Sequence, residues 1–293
     1  MNLRNWITGA RVRTLPLAVA PIVLGSAAAD LVDRFDFNLA ALALMVALFL
    51  QIGVNYANDY SDGIRGTDNN RVGPLRLTGS GLVRPRAVKQ AAFISFALAA
   101  ASGLAIVVIT SQWWLIGLGA IAIIAAWYYT GGKRPYGYAG LGELVVFIFF
   151  GLVATVGTTY IQTLGFDAMS LLLGINFGFY ASAVLLINNI RDIETDRASG
   201  KNTIAVLLGA KRAKLIYAAL IWLPVVFNLM LILLYPATVL GLINLLLVIP
   251  ASLSGLKGTS PKELISALKL TSLAGLGFGL LVGAGLFAVS FSI

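Results

Sequence analysis

Nine mostly apolar runs constrain what this chain can fold into. They cover residues 14–30, 37–58, 88–110, 113–130, 141–161, 167–189, 213–234, 236–252 and 269–291, and each approaches the roughly 20 residues that a helix needs to cross a bilayer. Hydrocarbon offers no water to backbone amides and carbonyls, so each run must close its own hydrogen bonds as a helix. The expectation is an all-α polytopic membrane protein: nine transmembrane helices in one bundle around a cytoplasm-facing cavity, with residues 1–293 forming a single domain. Only Ser111-Gln112 divides the third and fourth runs, and only Tyr235-Pro236 the seventh and eighth, which predicts tight hairpins. Pro16, Pro21 and Pro224 fall inside runs and predict kinks or uneven starts.

Nine crossings place the N-terminus and the loops after runs two, four, six and eight on one side. That side receives all but Arg34 of the 21 Lys and Arg residues, so it is expected to be cytoplasmic. Arg4, Arg11 and Arg13 lead into the first run without a small-residue cleavage site, so this run is expected to remain as the first span. The net charge of +9 is spread over five membrane-bounded segments with no recognition motif, which argues against nucleic acid as a partner. The partner it fits is the lipid bilayer, and no obligate protein partner is evident. The chain contains no Cys and no His, which removes disulfides, thiolate nucleophiles, the commonest general base and the usual zinc ligands.

Polar residues gather at the inner ends of runs two and six. The first group reads Asn55-Tyr56-Ala57-Asn58-Asp59-Tyr60-Ser61-Asp62, and the second Asn188-Asn189-Ile190-Arg191-Asp192-Ile193-Glu194-Thr195-Asp196. In each, an Asn precedes an Asp by one helical turn, and another Asp follows a turn later. On a helix, Asn55, Asp59 and Asp62 share one face, as do Asn188, Asp192 and Asp196. Runs two and six are four helices apart, so they point the same way and finish on the same side. The loops that follow, about 59–87 and 190–212, add Arg65, Asp68, Arg71 and Arg76, then Arg197 and Lys201.

Two carboxylates about 4 Å apart repel by about 4 kcal/mol at an effective dielectric near 20. A cluster of Asp59, Asp62, Asp68, Asp192, Asp196 and Glu194 therefore needs cations. All-oxygen ligation by Asp and Asn points to Mg2+, which takes one or two carboxylates and completes its shell with water and phosphate oxygens. The expected ligand is a diphosphate, bridged by metal and gripped by Arg and Lys. One Asp-x-x-Asp at a helix end is more often a solvated, membrane-flanking face. Two copies on parallel helices, each with its Asn a turn earlier, favour a paired metal-diphosphate site. Lys133-Arg134 fits an interfacial anchor as well as a substrate contact. Trp113, Trp114, Trp127, Tyr128 and Tyr129 fit a core or an interfacial belt. Glu143 fits a ligand-orienting role, a substrate contact or an interfacial position.

Asn55-x-x-x-Asp59-x-x-Asp62 with Asp68 behind it, and Asn188-x-x-x-Asp192-x-x-x-Asp196, resemble the two Asp-rich motifs of the UbiA superfamily of intramembrane prenyltransferases, and the resemblance spans essentially the whole chain. Asn58-Asp59-Tyr60-Ser61-Asp62, Arg71-Val72-Gly73-Pro74-Leu75-Arg76, Tyr129-Thr130-Gly131-Gly132, Gly140-Leu141-Gly142-Glu143 and Asn188-Asn189-Ile190-Arg191-Asp192 are similar to the branch whose acceptor is 1,4-dihydroxy-2-naphthoate, on the route to menaquinone. The resemblance implies Mg2+-dependent transfer of a polyprenyl group from polyprenyl diphosphate to that ring, with loss of CO2 and diphosphate, in a bacterial inner membrane. It implies that Asp59, Asp62, Asp192 and Asp196 hold the metal directly or through water, with Asn55 and Asn188 coordinating or hydrogen-bonding the diphosphate. Asp68 either orients cations or acts on the acceptor. Arg65, Arg71, Lys133, Arg134 and Lys201 are the candidates for binding diphosphate or the substrate carboxylate, Lys201 and Arg134 foremost, and the lipid entrance is expected near spans one and nine. Other acceptors, 4-hydroxybenzoate or homogentisate, stand as alternatives within the superfamily. Outside it stands a transporter of polyprenyl diphosphate or Mg2+. The outer halves of the runs are nearly devoid of charge, which favours one-sided chemistry over alternating access.

Overall fold

A computed structural model describes residues 3–67 and 76–290; the candidates Asp68 and Arg71 lie outside the described residues. Every regular element among them is helical. A short α1 (Leu3–Gly9) leads to α2 (Pro16–Asp30), α3 (Phe37–Arg65), α4 (Pro85–Thr110) and α5 (Leu115–Tyr128). The next span is composite: α6 (Gly142–Val146), a π-helical stretch (Phe147–Val153) and α7 (Ala154–Thr163). Then come α8 (Ala168–Arg191), the short α9 (Ile193–Ala198), α10 (Ile204–Leu234), a 3-10 segment (Pro236–Asn244) continuing into α11 (Leu245–Lys257), and α12 (Pro261–Ser290).

Among the described residues, seven helical segments are long and apolar enough to cross a membrane. The first and fourth expected spans form the shorter apolar helices α2 and α5. At about 1.5 Å per residue, the 14 residues of α5 reach less far than the roughly 30 Å hydrocarbon core.

Local chemistry sets the helix ends. Asp36 caps α3 by accepting from the Leu39 amide at 2.9 Å, and Asp167 caps α8 by accepting from Ser170 at 2.7 Å. Each satisfies an amide that the first turn would otherwise leave without a partner. Pro85 opens α4, where its missing N–H costs nothing, and Gly66 closes α3 in the left-handed region. Pro16 opens α2, whereas Pro21 and Pro224 lie inside α2 and α10.

One large core packs α2, α8, α10, α11 and α12 around Leu24, Phe177, Tyr180, Tyr217 and Phe278. A second joins α3 and α4 to the loop between them through Tyr56, Leu77, Val88 and Phe96. Small residues bring backbones together, as expected where lipid leaves packing as the main drive for association. A Cβ on Gly151 would sit 2.6 Å from both the Gly174 carbonyl oxygen and the Gly178 Cα, so the π-helical stretch lies directly on the backbone of α8. The seam between the first and last spans is closed the same way. A Cβ on Gly279 of α12 would sit 2.6 Å from the Ala20 Cβ of α2, and one on Gly283 would sit 2.7 Å from Val23.

The second polar motif is not one continuous helix. α8 stops at Arg191, Asp192 occupies the junction, and α9 carries Asp196. The Asp196 amide still donates to the Asp192 carbonyl at 2.8 Å, so the one-turn spacing survives the break.

Candidate active site

The two cores flank a cavity of about 580 Å³ whose polar and apolar linings are segregated. α3 supplies Asn55, Asn58 and Asp62, α8 supplies Asn188 and Asn189, and Arg11, Arg76 and Lys201 supply cations. Away from this group the lining is mostly apolar, with Thr158 of α7 an exception. Ala43 and Val46 come from α3, Gly103 from α4, Ile116 and Gly119 from α5, and Phe149, Phe150 and Val153 from the π-helical stretch.

Each polar residue of the first motif is fixed by a different partner. Asn55 donates its amide to the Ala10 carbonyl at 2.9 Å, tying α3 to the chain entering α2. Asn58 accepts from the Thr130 hydroxyl at 2.7 Å, and Asp62 accepts from the Tyr138 hydroxyl at 2.8 Å. Asp59 faces elsewhere. One of its carboxylate oxygens accepts from the Leu77 amide and the other from Thr78, both at 2.8 Å, and the residue is 1% exposed. The residues of this motif that line the cavity are Asn55, Asn58 and Asp62, while Asp59, the expected metal ligand, holds a loop through both carboxylate oxygens. An i, i+3, i+7 set and an i, i+4, i+7 set differ by only one helical step.

In the second motif, Arg191 grips Asp192 with two hydrogen bonds, Nε to Oδ1 at 2.7 Å and Nη2 to Oδ2 at 2.6 Å. Its Nη2 also donates to Asn188 at 2.9 Å. Lys201 faces Asp196 at 3.5 Å. Both aspartates are buried and are tied to the cavity wall through Asn188 and Lys201. Arg191 and Lys201 offset charges that would otherwise be costly to bury. No group of three or more acidic side chains able to hold a metal by itself occurs among the described residues.

Tyr138 lies between the motifs. Arg65 and Lys201 face its ring, each 5.4 Å from the centroid, and its carbonyl accepts from the Asn202 amide at 3.0 Å. Arg65 donates to the carbonyls of Thr130 and Gly132, so this expected substrate ligand staples α3 to the loop after α5. Lys133 and Arg134 are exposed and do not line the cavity. The structure therefore keeps Lys201 in the wall and leaves Arg134 outside it. Glu143 is buried and accepts from the Asn189 side-chain amide at 2.9 Å. Of its three sequence readings, the orienting one matches this geometry.

Of the residues now seen in or beside the cavity, Asn58, Arg76, Thr130 and Asn189 stand in the quoted motifs without an expected site role, and Arg11 and Tyr138 carry no sequence signal of a site.

Residues 18–273 match the model of the UbiA prenyltransferase family. The chain belongs to that family. A UbiA-family relative, the 1,4-dihydroxy-2-naphthoate octaprenyltransferase of Mycobacterium tuberculosis, is 48% identical over 285 residues, 97% of either chain. Among solved structures, an apo UbiA homologue from Aeropyrum pernix K1 is 19% identical with a TM-score of 0.68, covering 99% of both chains. A UbiA homologue from Archaeoglobus fulgidus bound to DMAPP and Mg2+ is 17% identical with a TM-score of 0.65, covering 96% of this chain and 99% of that one. These two structures carry the fold across. The UbiA-family chain is a transferase built as a helical membrane bundle.

Proposed function

We propose that the chain transfers a polyprenyl group from its diphosphate to 1,4-dihydroxy-2-naphthoate, releasing CO2 and diphosphate and giving demethylmenaquinol. The observation that carries this reading is the segregated cavity: Asn58, Asp62, Asn188, Arg76 and Lys201 at one end and apolar walls from α3, α4, α5 and the π-helical stretch at the other. That division matches a molecule with a charged head and a long hydrocarbon tail. The 48% identity, over nearly the full length, to the 1,4-dihydroxy-2-naphthoate octaprenyltransferase of Mycobacterium tuberculosis supports the choice of acceptor.

The donor set is hard and all-oxygen, which fits Mg2+. Asp62 with Asn58 at the wall, and Asp192 and Asp196 behind Asn188 and Lys201, would hold it directly or through water. When bound, Mg2+ supplies Lewis-acid stabilisation of charge on the departing diphosphate. Arg76 and Lys201 bring further positive charge to the same leaving group. The apolar walls keep water from the allylic cation that forms as the C–O bond breaks, so the aromatic ring captures it instead. Tyr129 and Tyr136 are among the lining residues, and aromatic rings in the wall suit a passing cation.

In this reading α2 and α5 complete the seven longer spans to nine crossings of one domain, in a bacterial inner membrane with the motifs on the cytoplasmic side. All but one of the chain's cations fall on that side, which supports the orientation. The test is incubation of the purified protein with Mg2+, octaprenyl diphosphate and either dihydroxynaphthoate or 4-hydroxybenzoate, with products read by mass spectrometry. Prenylated, decarboxylated naphthalene product that disappears on chelation is expected. Faster turnover with 4-hydroxybenzoate contradicts the acceptor, and no turnover with either, by folded protein, contradicts the reaction.

A further inference from the structure

Asp59 sits within the most acidic stretch of α3, yet both of its oxygens are taken by backbone amides of the following loop. Opening them for another ligand would orphan two buried donors, each costing as much as a lost charge-assisted hydrogen bond. The rest of the contact is built to match. A Cβ on Gly63, one turn further along α3, would meet Thr78 at 2.5 Å, so only glycine lets the loop lie this close. Leu77 is fully buried against Tyr56 and its neighbours, and a Cβ on Gly9 would sit 2.6 Å from its Cδ1. The Val83 amide closes the turn on the Leu77 carbonyl at 3.1 Å. These contacts fix the backbone immediately after Arg76, which is 9% exposed and lines the same cavity as Asn58 and Asp62.

We propose that Asp59 is a positioning residue, whose grip on the Leu77 and Thr78 amides holds Arg76 in the cavity wall as a ligand of the substrate diphosphate. The inference rests on the prenyl-transfer reading and assigns two residues within it. A guanidinium suits the role because its planar fork matches two phosphate oxygens at once. The loop could not hold that fork still by itself, since residues 76–84 contain no regular helix or strand. α3 supplies the rigidity and Asp59 transmits it.

The test uses full-length protein in phospholipid nanodiscs, comparing wild type, Asp59→Asn, Asp62→Asn, Arg76→Ala, Arg76→Lys and the Asp59→Asn/Arg76→Ala double variant. The readouts are donor KM, kcat, the Mg2+ concentration for half-maximal rate, and binding of a non-hydrolysable prenyl thiodiphosphate. Arg76→Ala should raise donor KM by roughly 10- to 100-fold, with Arg76→Lys recovering part of the loss. Asp59→Asn should raise donor KM in the same direction while moving the Mg2+ requirement by less than about twofold, and should add less than about twofold on top of Arg76→Ala. A purely structural Asp59 would reduce the active fraction and leave donor KM alone, which overturns the proposal. A shift in the Mg2+ requirement as large as that of Asp62→Asn makes Asp59 a metal ligand and overturns it too. Should Asp59→Asn fail to fold, an unchanged donor KM in Arg76→Ala still overturns it. Wild-type protein that binds no prenyl thiodiphosphate overturns the functional reading and this inference together, whereas the other adverse outcomes touch the inference alone.

Discussion

The Tyr138 hydroxyl donates to Oδ1 of Asp62 at 2.8 Å, while the same ring is faced by Arg65 and Lys201. One side chain from the loop before α6 thus touches the end of α3 and the loop after α9. Burial, and then the Asp62 charge, push the Tyr138 phenol up from its ordinary value. A raised phenol stays protonated through neutral and moderately alkaline pH, so this hydrogen bond persists there.

Tyr138→Phe should therefore lower kcat/KM by about tenfold, the worth of one hydrogen bond to a charged acceptor, with little change in melting temperature. Tyr138→Ala should cost more, because the ring faces two cations. Steady-state kinetics with the naphthoate acceptor check both, and equal losses would show that the hydroxyl alone matters.

Glu143 holds Asn189 from behind the cavity wall. Glu143→Ala leaves the buried Asn189 amide without its acceptor, and should lower kcat/KM by about tenfold and reduce stability by about 1–3 kcal/mol. Glu143→Gln keeps an acceptor oxygen and should lose less. Activity and denaturant midpoints measured together decide between these outcomes.

Cations divide by whether they reach the cavity. Lys201, partly buried against Asp196, lines it, whereas Lys133 and Arg134 are exposed outside it. Lys201→Ala should reduce kcat/KM by roughly 10- to 100-fold, and alanine at Lys133 or Arg134 should stay within about threefold. A larger loss at Arg134 than at Lys201 would return the substrate contact to the first of these.

Much of this architecture is legible in the residues, and the boundary of legibility has physical causes. The apolar runs mark the helices because hydrocarbon forbids unsatisfied backbone, yet run length does not reveal that α2 and α5 are short. Asp62, Asn188 and Lys201 follow from period and charge. That Asn58 rather than Asp59 lines the cavity is hidden in the sequence because both lie one turn from the flanking motif residues. What separates them is the loop at Leu77 and Thr78, which packs behind α3 and leaves no mark on helical spacing. Arg11 and Arg76 read as topology cations until tertiary packing turns them inward. The π-helical stretch packs Gly151 against Gly174 and Gly178 across more than 20 residues of sequence, a contact that helical periodicity does not mark.

The central claim is that two polar motifs, one ending α3 and one at the junction of α8 and α9, act as a single metal-diphosphate site. Its most direct test is the Mg2+-dependent rate of demethylmenaquinol formation by Asp62→Asn and Asp192→Asn, each made alone in protein shown to be folded. The account predicts that each variant loses at least about 100-fold in kcat. A near-normal rate in either one would contradict it.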